Sequence, residues 1–233
     1  MDRGAFYDVI RAQTGSLSQS QVDGFEVFLN EGERRAMRLE QQAYVIATAW
    51  HETAFTMQPI AEYGKGQGKD YLVYWSDARN NECKHKPQEA YGRGYVQLTW
   101  EANYEHADFE LELDGELVAN FDLALYPRIA AQVIFQGMIS SWFTGVGLDD
   151  FINDEKVDYY NARKIVNGLD RATDIQRYAE LAEEALRAGG WGAEEPEPVP
   201  PSIGGMNAAI TQLQNSLTQV ISALEAIKKS NVQ

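Results

Sequence analysis

The segment Ala49-Trp50-His51-Glu52-Thr53-Ala54-Phe55 sets a histidine beside a carboxylate, two groups that move protons or bind metal. A zinc protease of the His-Glu-x-x-His kind needs a second histidine one helical turn after the first, so that both imidazoles reach one ion. Position 55 is Phe, and the only histidines are His51, His85 and His106. The motif therefore cannot be a zinc site of that kind, and Cys83-Lys84-His85 has no second pair to complete a structural zinc site. Glu52 is left as a candidate for acid–base chemistry.

The stretch Tyr91-Gly92-Arg93-Gly94-Tyr95-Val96-Gln97-Leu98-Thr99 is the second place where residue types suggest a site. Two glycines flanking Arg93 let the backbone turn tightly or approach a ligand closely. The alternation from Tyr95 to Thr99 predicts a short strand with Gln97 and Thr99 on one face. As a phosphate loop the stretch fails, because it lacks both the full glycine spacing and a following Lys-Ser/Thr pair. On pattern alone it is equally an ordinary turn leading into a strand.

Such groups need a scaffold, and residues 1–193 read as one mainly helical domain. Ser18 and Ser20 are N-cap candidates for a helix with Val22, Phe25, Val27 and Phe28 on its apolar face. A stronger helix is predicted from about Arg35 to Thr53, with Leu39, Ala43, Ile46, Ala47 and Trp50 at helical spacing. Glu52 then falls near the negative end of the helix dipole, a position that favours a protonated carboxyl. Gly64 to Pro87 reads as an irregular loop with a short hairpin near Tyr71 to Trp75. Pro127 opens a helix that is apolar nearly all round to Trp142, with Gly145 beyond it, predicting the buried central helix. Two more helices are predicted, Tyr159 to Val166 before Asn167-Gly168 and Ile175 to Ala188 before Gly189-Gly190.

Residues 194–205 form a Pro/Glu/Gly linker. Within 206–230, Ile210, Leu213, Leu217, Val220, Leu224 and Ile227 alternate steps of three and four, the seam of a coiled-coil helix. So short a helix is marginal alone, which predicts self-association or docking on a partner.

The formal net charge of -15 opposes phosphate neutralisation and argues against nucleic acid and anionic membrane surfaces as partners. Cys83 is the only cysteine, so no disulfide forms within the chain. No basic segment followed by an apolar run opens the sequence, so no secretory signal is expected, and no membrane span is expected either. Twelve Tyr and five Trp supply flat rings that stack on sugars as readily as they pack a core.

His51-Glu52-Thr53, then Gly92 to Thr99 with Asn103-Tyr104, then Val166-Asn167-Gly168-Leu169 occur in this order. Together they resemble the signature of family 19 glycoside hydrolases, the chitinase-like group that includes bacteriophage endolysins. The likeness spans roughly residues 5 to 190, and its most specific element is the Gly-Arg-Gly stretch. It implies a lysozyme-like, mainly α fold of α+β type, with two lobes around a sugar cleft and no cofactor or metal. It implies Glu52 as general acid and Thr99 as a residue that holds the attacking water. Gln97, Asn103 and Asn167 match positions that bind substrate or support the cleft, with Tyr95 and Arg93 as further substrate-binding candidates.

Plant members place the second catalytic carboxylate where this chain has Tyr74, but shorter phage-type members place it in a turn sooner after the first. That turn corresponds to Glu62 in Ile60-Ala61-Glu62-Tyr63-Gly64, with Glu82 and Glu89 as alternatives. The implied mechanism is inverting, with Glu52 kept protonated by burial beside Trp50 and Glu62 ionised on a more open loop. The expected function is an endolysin that cuts β-1,4 linkages in the glycan strands of peptidoglycan. A chitinase of the same family is the alternative, as is a virion-associated wall-degrading or structural component attached through 206–230. An endolysin would be made in the host bacterial cytoplasm and reach the wall after holin release or on the virion. Residues 206–230 would join it into a homo-oligomer or to a virion partner.

Overall fold

A computed structural model describes residues 1–73 and 88–192 of this chain. Glu82, Cys83 and His85, the linker at 194–205 and the heptad helix at 206–230 lie outside the described residues. The first of the chain's two units, Met1–Gly192, is the body that carries Glu52 and Glu62.

The body is mainly helical. Its helices are α1 (Arg3–Thr14), α2 (Gln19–Arg34), α3 (Leu39–Glu52), α4 (Glu101–Glu110), α5 (Glu116–Ala119), α6 (Pro127–Ile139), α7 (Tyr159–Ala162) and α8 (Ala172–Ala188). Strand structure is limited to four two-residue pieces, β1 (Ile60–Ala61), β2 (Leu72–Val73), β3 (Gln88–Glu89) and β4 (Arg93–Gly94). They pair antiparallel as β1 with β4 and β2 with β3. No helix of the described residues is long and apolar enough to cross a membrane.

Local chemistry sets several of the helix ends. Ser18 caps α2 in a reciprocal box: its hydroxyl accepts from the Gln21 N–H, and the Gln21 side chain accepts from the Ser18 N–H. Asp2 caps α1 by accepting from Ala5 N–H. Helix α1 is not expected from the sequence, because its buried face is only Phe6, Tyr7 and Ile10. Helix α4 is likewise not expected, with Tyr104, Ala107 and Asp108 alone buried.

Most core side chains form one cluster drawn from α1, α2, α3, α6, α7 and α8. A smaller cluster gathers Ala90, Leu98, Tyr104, Leu117 and Phe121 around Val133 of α6. Helix α6 thus faces both, with Ile134, Phe135 and Met138 on the larger side. Its apolar run predicts the buried central helix; it is central in facing both clusters, but it is not the most enclosed. That place belongs to α3, where every residue from Gln41 to Trp50 is buried. Within that run Gln41 donates to Asp149 and to Ile152 O, and Gln42 to Phe28 O, whereas Gln42 Oε1 and Thr48 Oγ1 have no hydrogen-bond partner among the described residues. Helix α6 also stops at Ile139, short of Trp142, because Phe143 folds back onto Gly137, where a Cβ would stand 2.2 Å from its ring.

The expected strand over Tyr95 to Thr99 is instead a tight turn. Arg93 and Leu98 exchange both backbone hydrogen bonds across it, at 3.0 and 2.8 Å, and Gln97 sits at φ 54°. Near Tyr71 the strand β2 pairs antiparallel with β3, and the rest of the hairpin expected up to Trp75 lies outside the described residues. Tyr159 to Val166 is a single turn of α-helix followed by a 3-10 turn over Arg163–Ile165.

Candidate active site

Glu52 is the last residue of α3. The next residue, Thr53, is fully buried; its hydroxyl donates to Ala49 O at 2.8 Å and accepts from Met57 N–H at 3.1 Å. The chain then reverses through Ala54, Phe55 and Met57, all at positive φ, and enters β1. A buried helix therefore fixes the Glu52 backbone, and a tightly bonded turn leads from it to the segment that carries Glu62.

The Glu52 carboxylate meets a cation. Arg163 Nη1 donates to Glu52 Oε1 at 2.6 Å, while Arg163 Nε donates to Asp170 O at 3.0 Å. The Arg163 side chain is only 3% exposed and that of Glu52 is 22% exposed. The expected apolar wall at Trp50 is not the arrangement found. Two residues apart on a helix point to different sides, and the Trp50 ring packs with Phe25, Phe55 and Tyr178. Glu52 is thus a partly exposed carboxylate held by a buried guanidinium, a fixed position from which it can give or take a proton.

Glu62 follows β1 directly. Its backbone N–H donates to Gly92 O at 2.7 Å, and its carboxylate accepts from Gly92 N–H at 3.2 Å. Lys69 Nζ binds the other carboxylate oxygen at 2.6 Å. The Lys69 ammonium, helped by the Gly92 amide, holds Glu62 below the usual carboxylate range. Lys69, which no sequence motif singles out, is thus the main side-chain partner of the Glu62 carboxylate.

Gly92 is the junction of the site. A Cβ there would stand 2.7 Å from Gln97 Oε1 and 3.1 Å from Thr99 Oγ1. The residue is glycine because those side chains close directly over its backbone, not because its φ requires it. Glu62, Gln97 and Thr99 are thereby gathered around one peptide. Gln97 Nε2 reaches Ile60 O at 3.3 Å, which ties the turn back to β1. The Thr99 hydroxyl donates to Gln97 O at 2.6 Å and keeps lone pairs free to accept.

The remaining predicted residues separate into two groups. Asn103 is exposed, donates from Nδ2 to Thr99 O at 2.7 Å, and shares a cavity of about 210 Å³ with Gln97, Thr99, His106 and Trp142. Asn167 is exposed as well; its N–H donates to Arg163 O at 3.0 Å and its Oδ1 accepts from Gly168 N–H at 2.8 Å. Arg93 and Tyr95, the further substrate-binding candidates, are buried in the free chain. Arg93 donates to Asp122, to the Glu89 and Tyr91 carbonyls and to Tyr104 Oη, with its guanidinium 3.5 Å from the centre of the Tyr91 ring. Tyr95 is fully buried and donates to Met57 O at 3.2 Å. Both brace the turn from behind. Glu89 lies exposed on β3, paired through its backbone with Leu72.

Arg163, like Lys69, is a partner that no sequence motif singles out. Its signal is that it follows Ala162 in a segment where Tyr159, Ala162 and Ile165 pack inward, while the adjacent Lys164 is exposed. A buried cation in such a setting requires an anionic partner. Among the described residues, no three His, Cys, Asp or Glu side chains stand together as a metal would require. No protein-family model, no curated protein and no solved structure matches this chain.

Proposed function

We propose that this chain is an endolysin-type glycoside hydrolase, related to family 19, that cuts β-1,4 linkages in peptidoglycan glycan strands by an inverting acid–base mechanism. The observation that carries this reading is the convergence of Glu62, Gln97 and Thr99 on Gly92. It groups an ionised carboxylate with a hydroxyl acceptor, the pair needed to orient and deprotonate water. Glu52 supplies the second carboxyl, anchored by Arg163.

In this mechanism Glu52 donates its proton to the glycosidic oxygen as the bond to the anomeric carbon breaks. The carboxylate that results is stabilised by the Arg163 guanidinium already bonded to it. Glu62 takes a proton from water on the opposite face of the sugar, and Thr99 accepts the other hydrogen and holds the oxygen in line. Inversion needs the two carboxyls roughly 6.5–9.5 Å apart, enough room for that water. Gln97, Asn103 and Asn167 supply amides for the sugar hydroxyl and acetamido groups. The two hydrophobic clusters fit a lysozyme-like pair of lobes, with Glu52 carried by the larger and Leu98, beside Thr99, in the smaller. Such an enzyme is made in the bacterial cytoplasm and released to the wall by a holin or carried by a virion, with 206–230 as the assembly segment.

The test is incubation with purified peptidoglycan and, separately, with chitin, followed by mass analysis of released fragments. New reducing sugar ends from peptidoglycan, lost in Glu52→Gln while the melting curve is retained, are the expected result. Release from chitin alone would make the enzyme a chitinase. Cleavage of peptide or amide bonds would overturn the proposal.

A further inference from the structure

A second concavity lies on the other side of the α3 end. It measures about 590 Å³ and is bounded by the end of α1, the start of α2, the segment after α3, and α8. Its aromatic lining is Trp50, Phe55 and Tyr178. The Phe55 and Tyr178 rings meet edge to face at 5.3 Å, and Trp50 packs against both. Phe55 is 43% exposed although its backbone is held at φ 67°, where a bulky side chain rarely sits. Holding an aromatic ring outward at a strained position points to a use for that ring. Trp50 is 3% exposed, and its indole N–H has no hydrogen-bond partner among the described residues.

The rim narrows the choice of occupant. Helix α8 contributes exposed Arg177, Glu180 and Glu184, and Gln13 lies across from them near the end of α1. One guanidinium against two carboxylates disfavours an anionic ligand. Leu17 and Leu181 are the only aliphatic residues in the lining, too few to bed the apolar face of a partner helix. Aromatic faces ringed by amides, hydroxyls and carboxylates match a sugar, whose C–H face lies on rings while its hydroxyls donate to carboxylates. The volume falls within the range of roughly 300–1,000 Å³ usual for ligand sites.

We propose that this groove is a second, non-catalytic carbohydrate site for an uncharged β-linked aminosugar chain. The choice of ligand rests on the polysaccharide reading given above. His51, the neighbour of Glu52 in the chain, packs its ring against Tyr178 of the groove lining, with ring centres 6.2 Å apart. A polymer held here keeps further sugars at high local concentration near Glu52.

The test uses the full chain carrying Glu52→Gln, so that polymer is bound without being cut, and measures its depletion from solution by insoluble peptidoglycan and by chitin. Phe55→Gly removes the exposed ring and relieves its backbone. Thr14→Arg fills the groove from an exposed position whose hydroxyl bonds only to Ile10 O. Each is expected to weaken polymer binding at least about fivefold. In the chain with Glu52 restored, both should leave kcat on short soluble glycan fragments within about twofold. Unchanged polymer binding in both variants, or a Glu52→Gln parent that binds neither polymer, overturns the proposal. If the restored chain releases no sugar ends yet groove-dependent binding persists, the catalytic reading fails and the groove stands. If sugar is released and binding is unaffected in the groove variants, the groove fails and the catalytic reading stands.

Discussion

Replacing Arg163 by Ala is the perturbation that the site geometry makes most quantitative. Its side chain is 3% exposed and makes two charge-assisted hydrogen bonds, to Glu52 Oε1 at 2.6 Å and Asp170 O at 3.0 Å. Hydrogen bonds to charged groups contribute about 1.5–3 kcal/mol each, and breaking a buried ion pair costs about 3–5 kcal/mol. Glu52 is 22% exposed, so water takes over part of the lost bonding and the lower end applies. A loss of about 3 kcal/mol, at about 2–4 °C per kcal/mol for a chain of this size, lowers the melting temperature by roughly 6–12 °C. The catalytic effect is separate. General acid catalysis contributes about 10²–10⁴-fold, so releasing Glu52 from its anchor should cost on the order of 10² in kcat with little change in KM. Arg163→Lys keeps the charge but not the planar two-point hold on Glu52 and Asp170, and it should fall between wild type and Ala on both measures. Calorimetric melting and initial rates on solubilised peptidoglycan read the two effects. An Ala variant with a kcat within about threefold of wild type would refute the positioning role.

Four further substitutions test the rest of the site. Glu62→Gln should lower kcat at least about 10²-fold, the scale of a lost general base, whereas Glu89→Gln should stay near wild type; equal losses in initial-rate assays would move the base elsewhere. Lys69→Met removes the main cause of the lowered Glu62 pKa, so the acid limb of kcat/KM, where the base becomes protonated, should move to higher pH. The same linkage sets the sign for stability: Glu62 contributes above its unfolded-state pKa and loses that contribution as pH falls through its lowered folded value. The stability gap between wild type and Lys69→Met in denaturant titrations should therefore be present near neutrality and close in acid, and a gap that widened in acid would contradict it. Gly92→Ala should separate function from folding, because its Cβ would press on Gln97 Oε1, the free end of a flexible side chain. A stability loss of about 1 kcal/mol or less, with an activity loss of about tenfold or more, is the expected pattern. A Gly92→Ala enzyme of wild-type activity would show that the grouping around this peptide has no catalytic weight.

The sequence made long, periodic features legible and left paired ones hidden. The helical character of the body and the positions of α2, α3, α6 and α8 follow from apolar spacing and from the Ser18 cap. Helices α1 and α4 escaped notice because three buried residues each make too faint a stripe. The alternation from Tyr95 to Thr99 pointed to a strand, but the Arg93–Leu98 pairing folds it into a turn that seals Tyr95 inside and leaves Gln97 and Thr99 partly open. Glu52, Glu62 and Thr99 could be named from motif and spacing, because such residue types carry chemistry in themselves. Their partners could not. Arg163 is 111 positions from Glu52, and Lys69 binds Glu62 across a turn, contacts that tertiary folding alone creates. The reason for Gly92 was hidden in the same way: its role is close approach by two side chains several residues on.

The most direct measurement is digestion of purified peptidoglycan in water enriched with oxygen-18, with the products read by mass spectrometry. Hydrolysis of a glycosidic bond by water activated at Glu62 places one labelled oxygen on the anomeric carbon of each new reducing sugar. The proposed mechanism predicts that label on sugar ends alone, and its loss in Glu52→Gln. Label in a peptide carboxyl group, or sugar ends still formed at the wild-type rate by Glu52→Gln, would contradict it.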